Sequence, residues 1–319
     1  MRQAREQASP SAEARARRAL TAAGLDSDLP LRRARSDANE VWLAPEFVLR
    51  LNHRGDLGRL GREAAVAARL PAEARYPGVL AHGIDGVIEW LIVRRVPGTE
   101  LSRAWPGLAP SERRRAATEL AEILSVVHAV DAPGLPADRD MAPPHVLPLD
   151  RVEDQIARVA ALAFVDGGML ADVSAFVRGA WGAFDAQGWG LVHGDPHLEN
   201  VLCDRGHVTA LLDLEWSRLS WIEVDLEILL SFCAFPAWFV AEDYEDQACA
   251  TDYEQVPAWL AAAYPRWFAH PRLAERLAVL SLSRHLGALI DYPPQRPVDV
   301  ADPKDRRNHL RALLAGARS

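Results

Sequence analysis

Apolar positions change their spacing along this chain, and the change divides it. Up to about residue 98 they come mostly in short blocks broken by turn residues; from Ser111 onward they recur every three or four residues. In the first part, "PSAEARARRALTAA" (10–23) is rich in helix formers and stops at Gly24, predicting a short N-terminal helix. Strands are predicted at 31–36, 41–44 and 47–52, the last two joined by a tight turn at Pro45 and Glu46. Residues 57–70 place Leu57, Leu60, Ala64, Ala67 and Leu70 on one helical face, with Glu63 at its edge. "VLAHGI" and "VIEWLIVRRV" then read as a hairpin turning at Asp85 and Gly86, and "VPG" (96–98) ends the strand-rich part. In the second part, Ser111 reads as the cap of a helix carrying Leu120, Leu124 and Val127, with His128 a packed or partly exposed residue. Further helices are expected at about 150–163, 169–187, 224–235 and 256–290. The pattern predicts an α+β fold: a small antiparallel sheet with helices over residues 1–96, a hinge near 94–98, and a larger helical part over 97–319.

Composition narrows the class. With 319 residues, 49% of them hydrophobic, the chain can bury a large core. The apolar run from Leu226 is broken by Glu227 and Pro236 and falls short of the roughly 18 residues a membrane span needs. The basic N-terminus has no apolar core of the signal-peptide kind, and three cysteines without a C-x-x-C pair argue against a disulfide framework or a structural zinc; the cytoplasm is the expected compartment. A net charge of −8 speaks against a nucleic-acid partner and favours a cationic small molecule over an anionic one. Lys304 is the single lysine, so any site that would use lysine must use another cation.

Chemistry concentrates in "LVHGDPHLENVLCDRGHVTALLDLEW" (191–216). "LVHGD" reads as a strand running into a loop and "VTALLDLEW" as a second strand after a turn at 204–206, so a hairpin would bring Asp195 and Asn200 close to Asp213. Three oxygen donors suit a hard ion such as magnesium. Asp, then Asn five residues on, then Asp on the next strand is the protein-kinase arrangement: the first Asp accepts the proton of the attacking hydroxyl, and the other two side chains hold the metal that bridges the nucleotide phosphates. Two other readings compete. His193, Asp195 and His197 alternate along an extended segment and could bind the zinc of a hydrolase; or the stretch is a polar turn between strands.

"HGDPHLENVL" followed by "LLDLEW" resembles the aminoglycoside phosphotransferase family of small-molecule kinases, with weaker similarity over about residues 33–230. The resemblance implies a two-lobed, protein-kinase-like fold and ATP or GTP with magnesium as cofactors. It implies Asp195 as catalytic base, His193 as the residue shaping the catalytic loop, Asn200 and Asp213 as magnesium ligands, and Asp225 as a brace for that loop. Glu215 would help the metal or cap the loop. "VLRL" takes the place of the strand whose basic residue holds phosphate, which makes Arg50 that residue instead of lysine and Glu63 its partner. Arginine keeps its charge and grips phosphate with two donors. Ser36 and Asn39 fall in the phosphate-covering loop, which lacks glycine here, and the backbone of Arg94 and Val96 falls at the adenine edge.

The acceptor is read from the C-terminal part. Glu242, Asp243, Glu245 and Asp246 open an acidic stretch that continues through Asp252 and Glu254; with Glu199 they could meet a polycationic aminoglycoside, or be a solvated surface. Trp216, Trp221, Trp238, Trp259 and Trp267 could stack on a sugar or macrolide but fit a core as well. The resemblance leaves macrolides, choline, homoserine and sugar amines as further acceptor classes, and a nucleotide-binding protein without turnover is the reading of a different class. A monomer or homodimer is expected.

Overall fold

A computed structural model describes residues 11–34, 36, 39–52, 57–135 and 149–316. Five strands form one antiparallel sheet: β1 (Arg32–Ala34), β2 (Glu40–Leu43), β3 (Phe47–Asn52), β4 (Val79–Asp85) and β5 (Ile88–Arg94), in the order β1-β2-β3-β5-β4. Two helices cover its two faces. Phe47, Leu49 and Leu51 of β3, with Trp42, Trp90 and Ile92, pack under α1 (Ala12–Ala22) through Ala16, Ala19 and Leu20. The strand period of two turns Val48 and Arg50 to the other side, where α2 (Arg59–Ala67) packs Leu60 and Ala64 on Leu91 and Val93.

Past β5 the chain crosses through residues 95–98 to a short strand, β6 (Thr99–Glu100), followed by α3 (Leu101–Ala104). Helix α4 (Pro110–His128) is capped differently from the sequence expectation. Ala109 is the cap residue, Pro110 opens the helix, and the Glu112 carboxylate accepts the Ala109 N–H at 2.9 Å, so Ser111 lies inside the first turn. Then come α5 (Leu149–Ala160), α6 (Gly167–Ala180), strands β7 (Trp189–Val192), β8 (Val201–Asp204), β9 (His207–Leu211) and β10 (Arg218–Trp221), and helices α7 (Glu223–Ala234), α8 (Val256–Ala263), α9 (Leu273–Asp291) and α10 (Arg306–Gly316). The helix expected over 256–290 is two helices, because Pro265 and Pro271 interrupt it.

The expected hairpin also changes partners. The turn at 204–206 joins β8 to β9, and β6 adds to the β8 edge; "LV" of β7 pairs instead with β10, Val192 opposite Arg218. Two apolar clusters hold the helical part: α4 and α7 with Trp105, Tyr253 and Trp267 in one, and α5, α6, α9 and α10 in the other. Among the described residues no helix is long and apolar enough to cross a membrane, and Cys203, Cys233 and Cys249 are free thiols.

Candidate active site

The loop between β7 and β8 is built on a buried carboxylate. Asp225, fully buried near the start of α7, accepts the His193 N–H at 2.8 Å on Oδ2 and the Gly194 N–H at 2.8 Å on Oδ1; the His128 Nε2 lies 3.0 Å from Oδ2. Burial alone would raise its pKa, but the hydrogen bond and charge of His128 and the loop amides win and hold it below the usual carboxylate value. Gly194 is the hinge of this arrangement. Its φ of +89° is left-handed, and a Cβ there would stand 2.3 Å from the Trp216 carbonyl oxygen.

His193 is fully buried and both ring nitrogens are committed: Nε2 lies 2.8 Å from the Leu212 carbonyl, and Nδ1 accepts the Asp195 N–H at 3.2 Å. That is the neutral Nε2–H tautomer, in keeping with a pKa that burial lowers against the pull of Asp225 and Asp195. A zinc triad of His193, Asp195 and His197 is therefore not formed, because His193 has no nitrogen left for a metal. The Asp195 side chain is 30% exposed at the loop's tip, with the His197 Nε2 3.4 Å from its Oδ2. Burial of His197 opposes a charge there, but the charge and hydrogen bond of Asp195 outweigh it and raise the imidazole pKa.

Asn200 donates its Nδ2 to the Asp195 carbonyl at 2.9 Å, which turns its amide oxygen away from that bond. The Leu212 N–H donates to the Asn200 carbonyl at 2.8 Å, so Asn200 and Asp213 stand at the same end of the β8–β9 hairpin. Asp213 has a left-handed φ of +64° and its side chain is 28% exposed.

From the sheet, Arg50 reaches this point. Its Nη1 lies 2.6 Å from both oxygens of Glu63, its Nη2 2.7 Å from Asp213 and 3.6 Å from Glu215. Glu63 is fully buried and also accepts the Tyr76 hydroxyl at 2.8 Å and the Leu214 N–H at 3.2 Å. Burial would lower the Arg50 pKa, but Asp213, Glu63 and Glu215 outweigh it and keep the guanidinium charged. With three carboxylates around one guanidinium, burial together with Asp213 and Glu215 pushes Glu63 up to about 7 despite Arg50. Oxygens of Glu63, Asp213 and Glu215 all lie within 4.8 Å of one another, close enough to hold a cation, and the guanidinium already fills that role.

The remaining expected residues are placed as follows. Ser36 is exposed; Asp37 and Ala38 of the same loop lie outside the described residues. Asn39 is buried and gives its Nδ2 to Glu215 at 3.1 Å, so its amide is turned to a carboxylate. At the crossing, the Arg94 N–H donates to Gly78 and the Arg95 N–H to Glu46, both at 2.8 Å, while Val96 is half-buried. Glu199 accepts from Ser102 and from Arg103 (3.2 Å), and the Tyr244 hydroxyl donates to the Ser102 carbonyl at 3.3 Å. The acidic stretch thus packs beside α3 and Glu199. In it Glu242, Asp243 and Asp246 are exposed, and Glu245 pairs with Lys304. Of the tryptophans, Trp267 is buried in the core.

The sequence profile described as the phosphotransferase enzyme family matches residues 30–261. The chain belongs to that family. Solved structures share this phosphotransferase's fold over nearly its whole length. A thermostable mutant of aminoglycoside phosphotransferase APH(4)-Ia, in ternary complex with AMP-PNP and hygromycin B, superposes with a TM-score of 0.64 at 20% identity, covering 97% of this chain and 100% of that one. The streptomycin–ATP–APH(2'')-IIa ternary complex gives 0.62 at 13% identity, covering 97% of each. A choline/ethanolamine kinase family protein from Mesorhizobium loti gives 0.55 at 20% identity, covering 91% and 87%. A search of curated proteins by sequence found no match.

Two features of the candidate site escaped the sequence. His128 read as a packed or partly exposed residue, yet it is the side-chain donor to Asp225; its buried place at the end of α4 only becomes informative once α7 lies beside it. Arg59 and Arg62 of α2 both reach Glu215, Arg62 through the Glu215 carbonyl at 3.2 Å.

Proposed function

We propose that this phosphotransferase moves the terminal phosphoryl group of ATP or GTP to a hydroxyl of a small molecule. The observation that carries the reading is the meeting of Asp195, Asn200 and Asp213 on one loop and hairpin end, beside the Arg50–Glu63 pair. Residues 1–96 would carry the nucleotide and 97–319 the catalytic loop and acceptor, with the base held between them along 94–98. Asp195 accepts the acceptor's hydroxyl proton, as its exposed position allows. His193 and Asp225 do not touch reactants; they fix the backbone from which Asp195 projects. Arg50, oriented by Glu63, presents a fixed positive charge to the phosphates. The Asp213 carboxylate and Asn200 amide oxygen fit magnesium, which takes oxygen donors, and such an ion would neutralise phosphate charge during transfer.

We propose a cationic acceptor of the aminoglycoside type, met by the exposed Glu242, Asp243 and Asp246 on the rim beside Glu199. The hygromycin B and streptomycin complexes of the structural neighbours support this class. A small hydroxylated amine is the second reading. Arg103 on Glu199 and Lys304 on Glu245 leave fewer acids for a polycation, which favours a single ammonium. The test is a screen for acceptor-dependent ADP release across aminoglycosides, macrolides and amino alcohols, with and without EDTA. Release stimulated by one class and abolished by EDTA supports the reading. No magnesium-dependent nucleotide binding at all would sink it.

A further inference from the structure

Glu215 follows Asp213 by two residues, and its chemistry alone allows a metal ligand. Its surroundings point elsewhere. The carboxylate is 2% exposed, with one oxygen taken by the Arg59 guanidinium and the other by the Asn39 amide at 3.1 Å, the Arg50 Nη2 standing 3.6 Å away. Its backbone carbonyl accepts from the Arg62 Nε at 3.2 Å, and the Arg59 guanidinium lies over the ring of Trp216, 4.8 Å from its centroid. All four partners come from the N-terminal part of the chain: the donors Asn39, just before β2, and Arg59 and Arg62, in the first turn of α2, with the Arg50 charge on β3. Both carboxylate oxygens are thus spent on side chains of another segment, and burial makes each bond costly to give up.

We propose that Glu215 is a latch that fixes the sheet and α2 over the loop carrying Asp213, and not a ligand of the metal. It is a positioning residue: by holding α2 it sets Glu63 and, through Glu63, Arg50; by holding Asn39 it sets the approach to β2. The nucleotide part of this inference rests on the phosphotransferase reading above; the latch itself does not. The nearest rival is that Glu215 joins Asp213 in binding magnesium, since its oxygens lie within 4.8 Å of those of Asp213 and Glu63. The two readings separate by which equilibrium the residue controls.

Two measurements on the full chain decide. In thermal unfolding without nucleotide, Glu215→Ala, Arg59→Ala and the double variant form a cycle. A latch gives a double variant that loses less Tm than the two singles together, because either change alone breaks the same contact; additive losses overturn it. In calorimetric titration with AMP-PNP over a range of magnesium concentrations, a latch gives weaker nucleotide binding, roughly ten- to hundredfold, the range for residues that orient ligand-bearing groups. The factor should be the same at every magnesium concentration. Asn39→Ala and Arg59→Ala should weaken binding in the same way, and Glu215→Gln, which keeps an acceptor for Asn39, should recover part of the loss. A defect in Glu215→Ala that closes at saturating magnesium makes it a metal ligand and overturns the proposal, as does unchanged affinity throughout. Should Glu215→Ala fail to fold, Asn39→Ala and Glu215→Gln carry the titration. If the wild-type protein binds no AMP-PNP, the phosphotransferase reading fails, and the unfolding cycle alone decides the latch.

Discussion

Replacing Asp225 by Asn changes one oxygen to an NH2 in a site that has only donors facing it. The carboxylate serves the His128 Nε2 at 3.0 Å and the His193 and Gly194 amides at 2.8 Å. In its better orientation the Asn carbonyl keeps His128 and His193, and its NH2 points at the Gly194 N–H, leaving a buried donor unpaired. That orphan costs about 1–3 kcal/mol, and the two surviving bonds each lose about 1 kcal/mol with the charge. The sum is about 3–5 kcal/mol. With an unfolding entropy of about 2.1 cal/mol/K per residue over 319 residues, the Tm should fall by roughly 4–8 °C. The pH dependence has a fixed sign. A carboxylate whose folded pKa lies below its ordinary value of 3.8 contributes fully above that value and loses its contribution only as pH falls through the folded pKa. Differential scanning calorimetry at pH 8, 7, 6 and 5 should therefore show a constant gap between wild type and Asp225→Asn, narrowing only in stronger acid. A gap under about 1 °C at pH 7, or one that closes between pH 7 and 5, would refute the three-donor brace.

Three further outcomes are expected. Arg50→Lys keeps a cation but gives one ammonium where two guanidinium nitrogens served Glu63 and Asp213; losing one charged hydrogen bond, about 1.5–3 kcal/mol, should weaken nucleotide binding about ten- to hundredfold in calorimetric titration, and wild-type affinity would count against Arg50 as the phosphate cation. Gly194→Ala meets a left-handed φ, about 1–2 kcal/mol, and a contact of 2.3 Å with the Trp216 carbonyl, so the loop must shift. The purified variant should bind nucleotide but release ADP at least about a hundredfold more slowly; an unchanged rate would show that the loop geometry does not set turnover. Chelating magnesium should abolish ADP release at any nucleotide concentration, read by a coupled assay, whereas release that persists in EDTA would exclude the Asn200–Asp213 pair as a needed metal site.

Much of this arrangement was legible in the sequence because it is written in local chemistry. The resemblance of "VLRL" pointed to Arg50 with Glu63 as its partner, and the spacing of Asp195, Asn200 and Asp213 pointed to oxygen ligation before any geometry was known. What escaped was long-range partnership. "LVHGD" and "VTALLDLEW" are both strand-like, so nothing local tells that β7 pairs with β10 across 26 residues while β8 takes β9. His128 and Asp225 are 97 residues apart and meet only because α4 and α7 pack together. Glu215 and Asn39, 176 residues apart, looked like a metal helper or loop cap and a phosphate contact; a buried carboxylate in want of donors draws them together. The prominent histidines misled for the same reason, since the nitrogens of His193 are spent on backbone that no linear reading could place.

The most direct measurement pairs AMP-PNP affinity with acceptor-dependent ADP release in wild type and Asp195→Asn, using the acceptor class found in the screen. If Asp195 is the base, Asp195→Asn should bind AMP-PNP as wild type does and lose about 10²- to 10⁴-fold in ADP release. Wild-type turnover in Asp195→Asn would contradict the assignment of the reaction to this loop.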